Sequence, residues 1–293
     1  MRVSFAWQGW QLSVPASWNV TALSGNVSSG HALLADLDGP RLGIRWKKVA
    51  GGDVTRAFVE RVVRDEVGPE AVGRVVQPPA DDAGPAGAIA AVYLDPELPP
   101  RDVYAAWAPG SGRVIELVYH ALQRDDVLMR ELVPSIRDTT VLPHQPWSVL
   151  DLTCAVPAGF ELRSHELRAG DLQLHWAAGR RFVSVRQLAL AEMALKRTTL
   201  EHLVREQQRR AHLHYSPDDA ITDVQLAAEG GRELSGRLGR AHRRRRFFWK
   251  ARLAPQRVTL ALHDRTRDRI VIVEADKWEL ARDVALTVGG GLS

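Results

Sequence analysis

The chain has 293 residues, of which 45% are hydrophobic and 25% are charged, and its formal net charge is +4. These proportions are typical of globular proteins and exclude a wholly disordered chain. The sequence contains no apolar run near the roughly 18 residues that span a bilayer, and its first residues lack the apolar stretch of a signal peptide. We therefore expect a cytoplasmic protein without membrane insertion.

The predicted elements of the first half are mostly strands. Residues 9–14 alternate apolar and polar side chains, which predicts a strand, and Pro15 turns the chain out of it. Two further strands, 33–37 and 42–46, flank a hairpin turn at Asp38-Gly39, whose residue types tolerate positive φ. Helices are expected over residues 53–67 and 125–136, separated by strands over 88–94, 102–108 and 113–122.

The second half repeats this order of elements. Apolar residues at helical spacing predict a longer helix over residues 198–211, and a last helix is expected over 275–284. The remaining apolar or alternating segments predict strands over residues 152–156, 172–176, 182–188, 225–228, 232–238, 246–253 and 257–263.

Two segments of the chain have similar sequences about 142 positions apart. Trp10–Trp18 returns as Leu152–Phe160, with the Val-Pro-Ala core and the closing aromatic residue in register. Two further matches lie downstream, namely Val59–Arg64 with Leu200–Arg205 and the segment ending in Arg113 with the segment ending in Arg257. The repetition predicts two copies of one domain.

The repeat places the first domain at residues 1–142, a linker at 143–147 and the second domain at 148–293. Each copy has roughly 145 residues, which is enough for its own hydrophobic core. The order of strand, hairpin, helix, antiparallel strands and helix predicts the α+β class, with one antiparallel sheet and packed helices in each copy. Consecutive strands with short turns argue against a Rossmann fold.

The repeated motif also resembles a known family. In each half a strand ends in Val-Pro-x-x-Trp or Val-Pro-x-x-Phe, at Trp18 and Phe160, and is followed by a hairpin, a helix, a three-stranded meander and a terminal helix. This arrangement resembles the PsbP/Mog1 superfamily, which includes the DcrB-like proteins. The resemblance covers nearly the whole chain and implies a tandem α/β sandwich. It implies no catalytic residues, because members act as assembly factors, GTPase modulators and chaperones.

The charge is unevenly distributed between the halves. Residues 1–146 hold 14 Lys and Arg against 17 Asp and Glu, whereas residues 147–293 hold 25 against 18. Much of the excess lies in Arg240 and in the run Arg243, Arg244, Arg245 and Arg246. These arginines predict either a basic surface for an acidic protein partner or a polyanion site, in which the aromatic residues after the run would stack on bases.

Tryptophans are the second candidate for a binding surface. Trp7, Trp10 and Trp46 could pack in the core or form an exposed aromatic face for a partner. Trp10 aligns with Leu152 of the second copy, and Trp46 aligns with Arg186 or Gln187, and this difference between the copies favours a binding face. Both alternatives remain.

The sequence contains no pattern that specifies catalysis. A nucleophile needs a base and an orienting group, and no motif supplies them. Cys154 lies in a strand as a core residue, and no cofactor or metal site is predicted. The overall prediction is a non-enzymatic protein-binding accessory, adaptor or chaperone subunit of a larger assembly, which uses two quasi-symmetric sheet faces. The alternative is polyanion or nucleic-acid binding through the arginine run of the second copy.

Overall fold

The computed structural model describes residues 1–50, 57–59, 61, 74–76, 87–93, 101–108, 111–120, 131–210, 215–228, 231–243 and 256–290. The chain divides into two compact units, Met1–Asp151 and Leu152–Ser293. Among the described residues, no helix is both long enough and apolar enough to cross a membrane.

The first unit consists mainly of antiparallel strands. Its described strands are β1 (Arg2–Trp7), β2 (Trp10–Pro15), β3 (Asn19–Gly25), β4 (Ser29–Asp36), β5 (Gly39–Lys48), β6 (Arg74–Val76), β7 (Gly87–Tyr93), β8 (Arg101–Ala108), β9 (Arg113–Tyr119), β10 (Arg137–Asp138) and β11 (His144–Val149). Seven of them form a sheet in the order β3-β4-β5-β9-β8-β7-β6, and β10, β2, β1 and β11 are neighbours in a smaller sheet.

The second unit repeats the large sheet. Its strands are β12 (Leu152–Pro157), β13 (Glu161–Arg168), β14 (Asp171–Ala178), β15 (Arg181–Ala189), β16 (Tyr215–Ala228), β17 (Arg232–Arg243), β18 (Gln256–Asp264) and β19 (Arg269–Ala275). Its helices are α1 (Ala191–Leu195), α2 (Leu200–Arg210) and α3 (Trp278–Thr287). The sheet order is β13-β14-β15-β19-β18-β17-β16, which is the order of the first unit element by element.

Two local details support the duplication of the fold. The pairing of β3 with β4 shifts register between Val20 and Ala22, and the pairing of β13 with β14 shifts between Leu162 and Ser164. Because both positions are displaced by the same 142 residues as the sequence repeat, the two bulges are equivalent. Bulges bend a strand and fix its register, so both copies set their first hairpin in the same way.

The second detail is a side-chain hydroxyl, near the end of each unit, that accepts a backbone hydrogen bond from the strand near the beginning of that unit. Ser135 Oγ accepts a hydrogen bond of 2.9 Å from the backbone N–H of Ser13 in β2. Thr287 Oγ1 accepts one of 2.9 Å from the N–H of Ala155 in β12. Each hydroxyl therefore joins the C-terminal segment of its unit to the strand near the beginning of that unit.

The predicted strands are largely confirmed, although their lengths differ. The hairpin of β4 and β5 turns at residues 37–38, one position before the expected turn. Residues 144–147 of the predicted linker belong to β11, which pairs with β1. The strand predicted over 246–253 lies outside the described residues, as do most of the helix predicted over 53–67 and the first half of the helix predicted over 125–136. In the described half of the latter, Val133–Ser135 form a 3-10 helix.

The predicted α+β class is wrong, because strands dominate both units and the described helices are short. The missed strands include β3, β6, β10, β11, β13 and β19. The third sequence match was also misleading: Arg113 begins β9, whereas Arg257 lies at the start of β18, which occupies the position of β8 in the sheet order. The chain is a tandem β-rich protein rather than a pair of sheets with substantial helical layers.

We expect Thr287→Ala to lower the free energy of unfolding by about 1 kcal/mol, because the strand N–H of Ala155 loses its acceptor. Ser135→Ala tests the equivalent bond in the first unit. The exposed Thr222 of β16 provides the control, since Thr222→Ala removes a hydroxyl at the surface. Urea denaturation of the full chain measures the effect, and equal midpoints for Thr287→Ala and Thr222→Ala would contradict it.

Candidate functional site

The three tryptophans suggested as a binding face are buried. Trp7 and Trp10 are each 1% exposed and Trp46 is 4% exposed. Trp7 packs edge-to-face against Trp147 with 5.3 Å between ring centroids, and Trp46 Nε1 donates a 2.7 Å hydrogen bond to the carbonyl oxygen of Asn26. This burial favours the packing alternative for all three residues.

Trp10 also packs against a buried arginine that sequence reasoning did not single out. The Arg113 guanidinium lies 4.6 Å from the Trp10 ring centroid. It donates to the carbonyl oxygens of Gln8 at 2.7 Å and Gly9 at 3.2 Å, and it forms a 3.2 Å ion pair with Asp138. Burial lowers the pKa of Arg113, an effect that Asp138 opposes. The network joins the first hairpin of the unit to β9 and β10.

The arginine run is only partly described. Arg240 lies on β17 and is exposed, and Arg243 is the last residue of that strand. Arg244, Arg245 and Arg246 lie outside the described residues. The suggested polyanion site therefore stays a prediction.

An exposed apolar pair lies at the start of α1. Leu190 is 57% exposed and Met193 is 56% exposed. The N-terminal end of α1 is hydrogen-bonded to Asp268. The carbonyl oxygen of Asp268 accepts a hydrogen bond of 3.2 Å from the backbone N–H of Ala191, and its Oδ1 accepts one of 2.8 Å from the N–H of Glu192. Asp268 thus supplies the helix cap from another part of the chain.

Leu190 has an unusual backbone conformation for its residue type. Its φ of 56° and ψ of 50° place it in the left-handed region, which a bulky side chain rarely adopts. The exposed Lys196 and Arg197 follow α1 directly. Leu190, Met193, Lys196 and Arg197 together are called the apolar–basic surface. Sequence reasoning missed it because the alternating Leu and Ala residues before Met193 suggest a buried segment.

The second unit also contains a buried ion pair beneath α2. Glu274 of β19 is buried, and its carboxylate lies 2.6 Å from Arg257 Nε. Gln207 Nε2 of α2 donates a 3.2 Å hydrogen bond to the same carboxylate. Burial raises the pKa of Glu274, while Arg257 and Gln207 act in the opposite direction. The Arg257 guanidinium lies 4.4 Å from the Phe182 ring centroid.

Further polar side chains lie on the neighbouring strands. The His175 imidazole is hydrogen-bonded at 2.8 Å to the Gln173 amide, and burial together with the positive charge of Arg257 lowers the pKa of His175. Arg186 donates two hydrogen bonds, of 2.8 and 2.7 Å, to the Asp171 carboxylate. The hydrogen bonds to Asp171, together with the negative charges of Glu206 and Glu166, raise the pKa of Arg186.

Some buried polar groups in this region lack a partner among the described residues. They include the Thr259 hydroxyl, the side-chain oxygen of Gln207 and both amide atoms of Gln208. Gln208 lies against Gly239, where an added Cβ would come within 2.7 Å of its Nε2 and 2.5 Å of Val204 Cγ1. Glycine at this position therefore lets α2 approach β17 closely. In the described ranges, no three His, Cys, Asp or Glu side chains group as metal ligands.

We expect Thr259→Val to raise the free energy of unfolding by about 1 kcal/mol, because it removes a buried hydroxyl without a hydrogen-bond partner and keeps the side-chain shape. Thr287→Val is the matched control, since the same change there removes a bonded hydroxyl and should lower stability. Urea denaturation measures both. A loss of stability in Thr259→Val comparable to that in Thr287→Val would contradict this assignment.

Glu274 should make stability depend on pH. Its raised pKa means that the folded protein binds this proton more tightly than the unfolded chain does. Its contribution is therefore complete below the usual pKa of glutamate and declines as pH rises through the folded pKa. We expect Glu274→Gln to flatten this decline in urea-denaturation profiles measured across pH. An unchanged profile would show that Glu274 does not cause it.

No known family model matches the chain, and no curated protein is significantly similar to it. The resemblance to the PsbP/Mog1 superfamily therefore stays a prediction.

Proposed function

We propose that this protein is a non-enzymatic accessory protein that binds a partner protein through the apolar–basic surface of its second unit. The observation that carries the proposal is the exposed Leu190 in a left-handed backbone conformation. Unusual backbone conformations of this kind concentrate at binding and active sites.

Leu190 is unfavourable for the isolated chain in two ways. The left-handed conformation costs a non-glycine residue roughly 1–2 kcal/mol, and the exposed side chain gains little from the hydrophobic effect. Glycine would avoid the backbone cost. Full burial of a leucine side chain against a partner would contribute about 1.5–3 kcal/mol, so docking offsets the cost.

The charges around the apolar pair indicate the chemistry of the partner. Lys196 and Arg197 are exposed within four residues of Met193, against one exposed acidic residue, Glu192, and the second half of the chain carries the positive excess. Complementary charge increases the association rate and the specificity of an interface. The expected partner segment therefore presents apolar side chains flanked by acidic residues.

The polyanion alternative differs in its response to salt. Phosphate contacts by Arg240 and the following arginines would weaken steeply and linearly with the logarithm of salt concentration. At high salt, an interface anchored by Leu190 and Met193 would lose only the electrostatic part of its binding free energy. Retention of a partner at high salt therefore supports the protein-binding proposal.

The experiment is affinity capture from the native lysate at low and high salt, with mass spectrometry of bound protein and nuclease-protected nucleic acid. Wild-type protein is compared with the Leu190→Asp/Met193→Asp variant. Leu37→Asp is the control, because Leu37 is a fully exposed leucine in the β4–β5 turn. We expect a stoichiometric protein that the wild type and the control retain at high salt and the double variant loses. Nucleic acid recovered only at low salt, without such a protein, would overturn the proposal.

Leu190→Gly separates stability from binding. Relief of the left-handed strain should raise the free energy of unfolding by up to about 1 kcal/mol, whereas loss of the side chain should reduce recovery of the partner. Urea denaturation and affinity capture measure the two effects on the same preparation. A variant that is less stable than the wild type would show that Leu190 serves the fold of the unit.

A further inference from the structure

Strand β13 forms one edge of the seven-stranded sheet in the second unit. Among the described residues, the strand that pairs with it is β14, and its other side faces away from the sheet. The outer side of an edge strand presents backbone N–H and C=O groups to which a further strand can bind. The side chains of an edge strand either prevent such pairing or select its partner, and the sequence of β13 distinguishes these two roles.

The charged residues of β13 follow a palindromic order. The successive residues of the strand are Glu161, Leu162, Arg163, Ser164, His165, Glu166, Leu167 and Arg168. When the strand is read backwards, an arginine stands at the place of each glutamate, a glutamate stands at the place of each arginine, and the two leucines exchange places. Two copies of β13 in antiparallel orientation therefore place opposite charges against each other at every charged position.

The bulge in β13 places the matching side chains on the same face of the sheet. The register of β13 against β14 shifts directly after Leu162, so Arg163 is the extra residue of the bulge. As a result, Leu162 and Leu167 share one face, and Glu161 and Arg168 share the other. In a regular strand, each of these pairs would lie on opposite faces, because the two residues are an odd number of positions apart. The palindrome therefore depends on the bulge.

The antiparallel pairing that fits this pattern has its two-fold axis at His165. The residues that oppose each other in the two copies are then Glu161 with Arg168, Leu162 with Leu167, Arg163 and Ser164 with Glu166, and His165 with itself. Opposite charges on neighbouring strands stabilise their pairing, whereas like charges destabilise it. Burial lowers the pKa of His165, so the two imidazoles at the axis are mainly neutral at pH 7. An axis at Glu166 would instead oppose two carboxylates.

Within one chain, the charges of β13 form exposed ion pairs. Arg163 lies 3.0 Å from Glu161, and Arg168 lies 3.4 Å from Glu166. All four side chains are at least 60% exposed, and Glu166 also acts on the charge of Arg186 in β15. Exposed ion pairs contribute little to stability. The chain therefore loses little when these groups exchange their partners for those of a second copy.

The first unit provides an internal comparison for these charges. Its strand β3 holds the position of β13 in the sheet order and carries the equivalent bulge. At the positions of the four charged residues, the first unit has the uncharged Asn19, Thr21, Ser24 and Asn26. Because the same sheet forms without them, the charges are not required for folding. Charges that only blocked pairing would need no palindromic order, and charges of one sign would block it more strongly.

We propose that the protein forms a homodimer in which the β13 strands of two chains pair antiparallel around a two-fold axis at His165. The interface is isologous, because each chain contributes the same strand. Backbone hydrogen bonds between the strands supply affinity, and the charge pairs fix the register. Contact between the half-buried Leu162 and Leu167 removes further apolar surface from water. This proposal does not depend on the apolar–basic surface.

Analytical ultracentrifugation of the purified full chain tests the proposal at protein concentrations from about 1 to about 200 µM. Glu161→Arg and Arg168→Glu each bring like charges together at both ends of the paired strands. The double variant Glu161→Arg/Arg168→Glu restores opposite charges with the two signs exchanged, and so does a mixture of the two single variants. Glu233→Arg is the control, because it reverses an exposed charge on β17, away from β13.

We expect the wild type and Glu233→Arg to dimerise with rising concentration. Each single variant should weaken dimerisation roughly tenfold or more, since it turns two favourable cross-strand pairs into repulsive ones. The double variant and the mixture should regain the wild-type affinity. Because Glu161→Arg raises the net charge and Arg168→Glu lowers it, a general effect of net charge cannot weaken both.

Hydrogen exchange of the wild type provides a measurement that is independent of the variants. Amides of residues 161–168 should exchange more slowly at concentrations where the dimer forms, whereas those of β3 should not change. A wild-type protein that stays monomeric over the whole concentration range would overturn the proposal. A dimer that the single variants leave intact, a double variant that does not regain affinity, or unchanged exchange in β13 would also overturn it.

Discussion

In each unit, strand register determines which side chains share a face of the sheet, because successive residues of a strand point in opposite directions. The first hairpin of each large sheet carries a bulge at the equivalent position, Val20/Ala22 and Leu162/Ser164. From there each strand is paired to the next. A shift of one residue in β14 or β15 would move His175 or Ser184 to the face of the sheet opposite Glu274. The polar neighbours of Glu274 on this face therefore depend on strand register.

Sequence patterns were sufficient to predict the strands and helices that have one apolar and one polar face. Residues 9–14 and the hairpin around Asp38 alternate clearly, and α2 has helical spacing. Strand β13 was missed because its sequence, Glu161–Arg168, is charged on both faces and its side chains are largely exposed. Strand β19 was missed for the opposite reason. As a central strand it is apolar on both faces except for Arg269 at its start and Glu274, and such a run shows no alternation that distinguishes strand from helix.

The candidate sites were less accessible to sequence reasoning than the fold. Glu274 and Thr259 are 15 positions apart and become neighbours only through the pairing of β18 with β19. A lone carboxylate within the apolar run before α3 was the available signal. Leu190 gave no signal, since exposure and a left-handed backbone are properties of the folded chain. The tryptophans were ambiguous from sequence because differences between copies do not distinguish alternative core packing from an exposed surface.

The hydroxyl bonds of Ser135 and Thr287 have a consequence for how such a chain could arise. Each bond brings the last segment of a unit beside the strand near its beginning, so the two ends of a unit are neighbours. Domains with adjacent ends accept circular permutation and insertion readily. The same geometry allows a gene segment that encodes one unit to be copied in tandem without a long connector. One copy can then preserve the ancestral packing while the other accumulates polar substitutions.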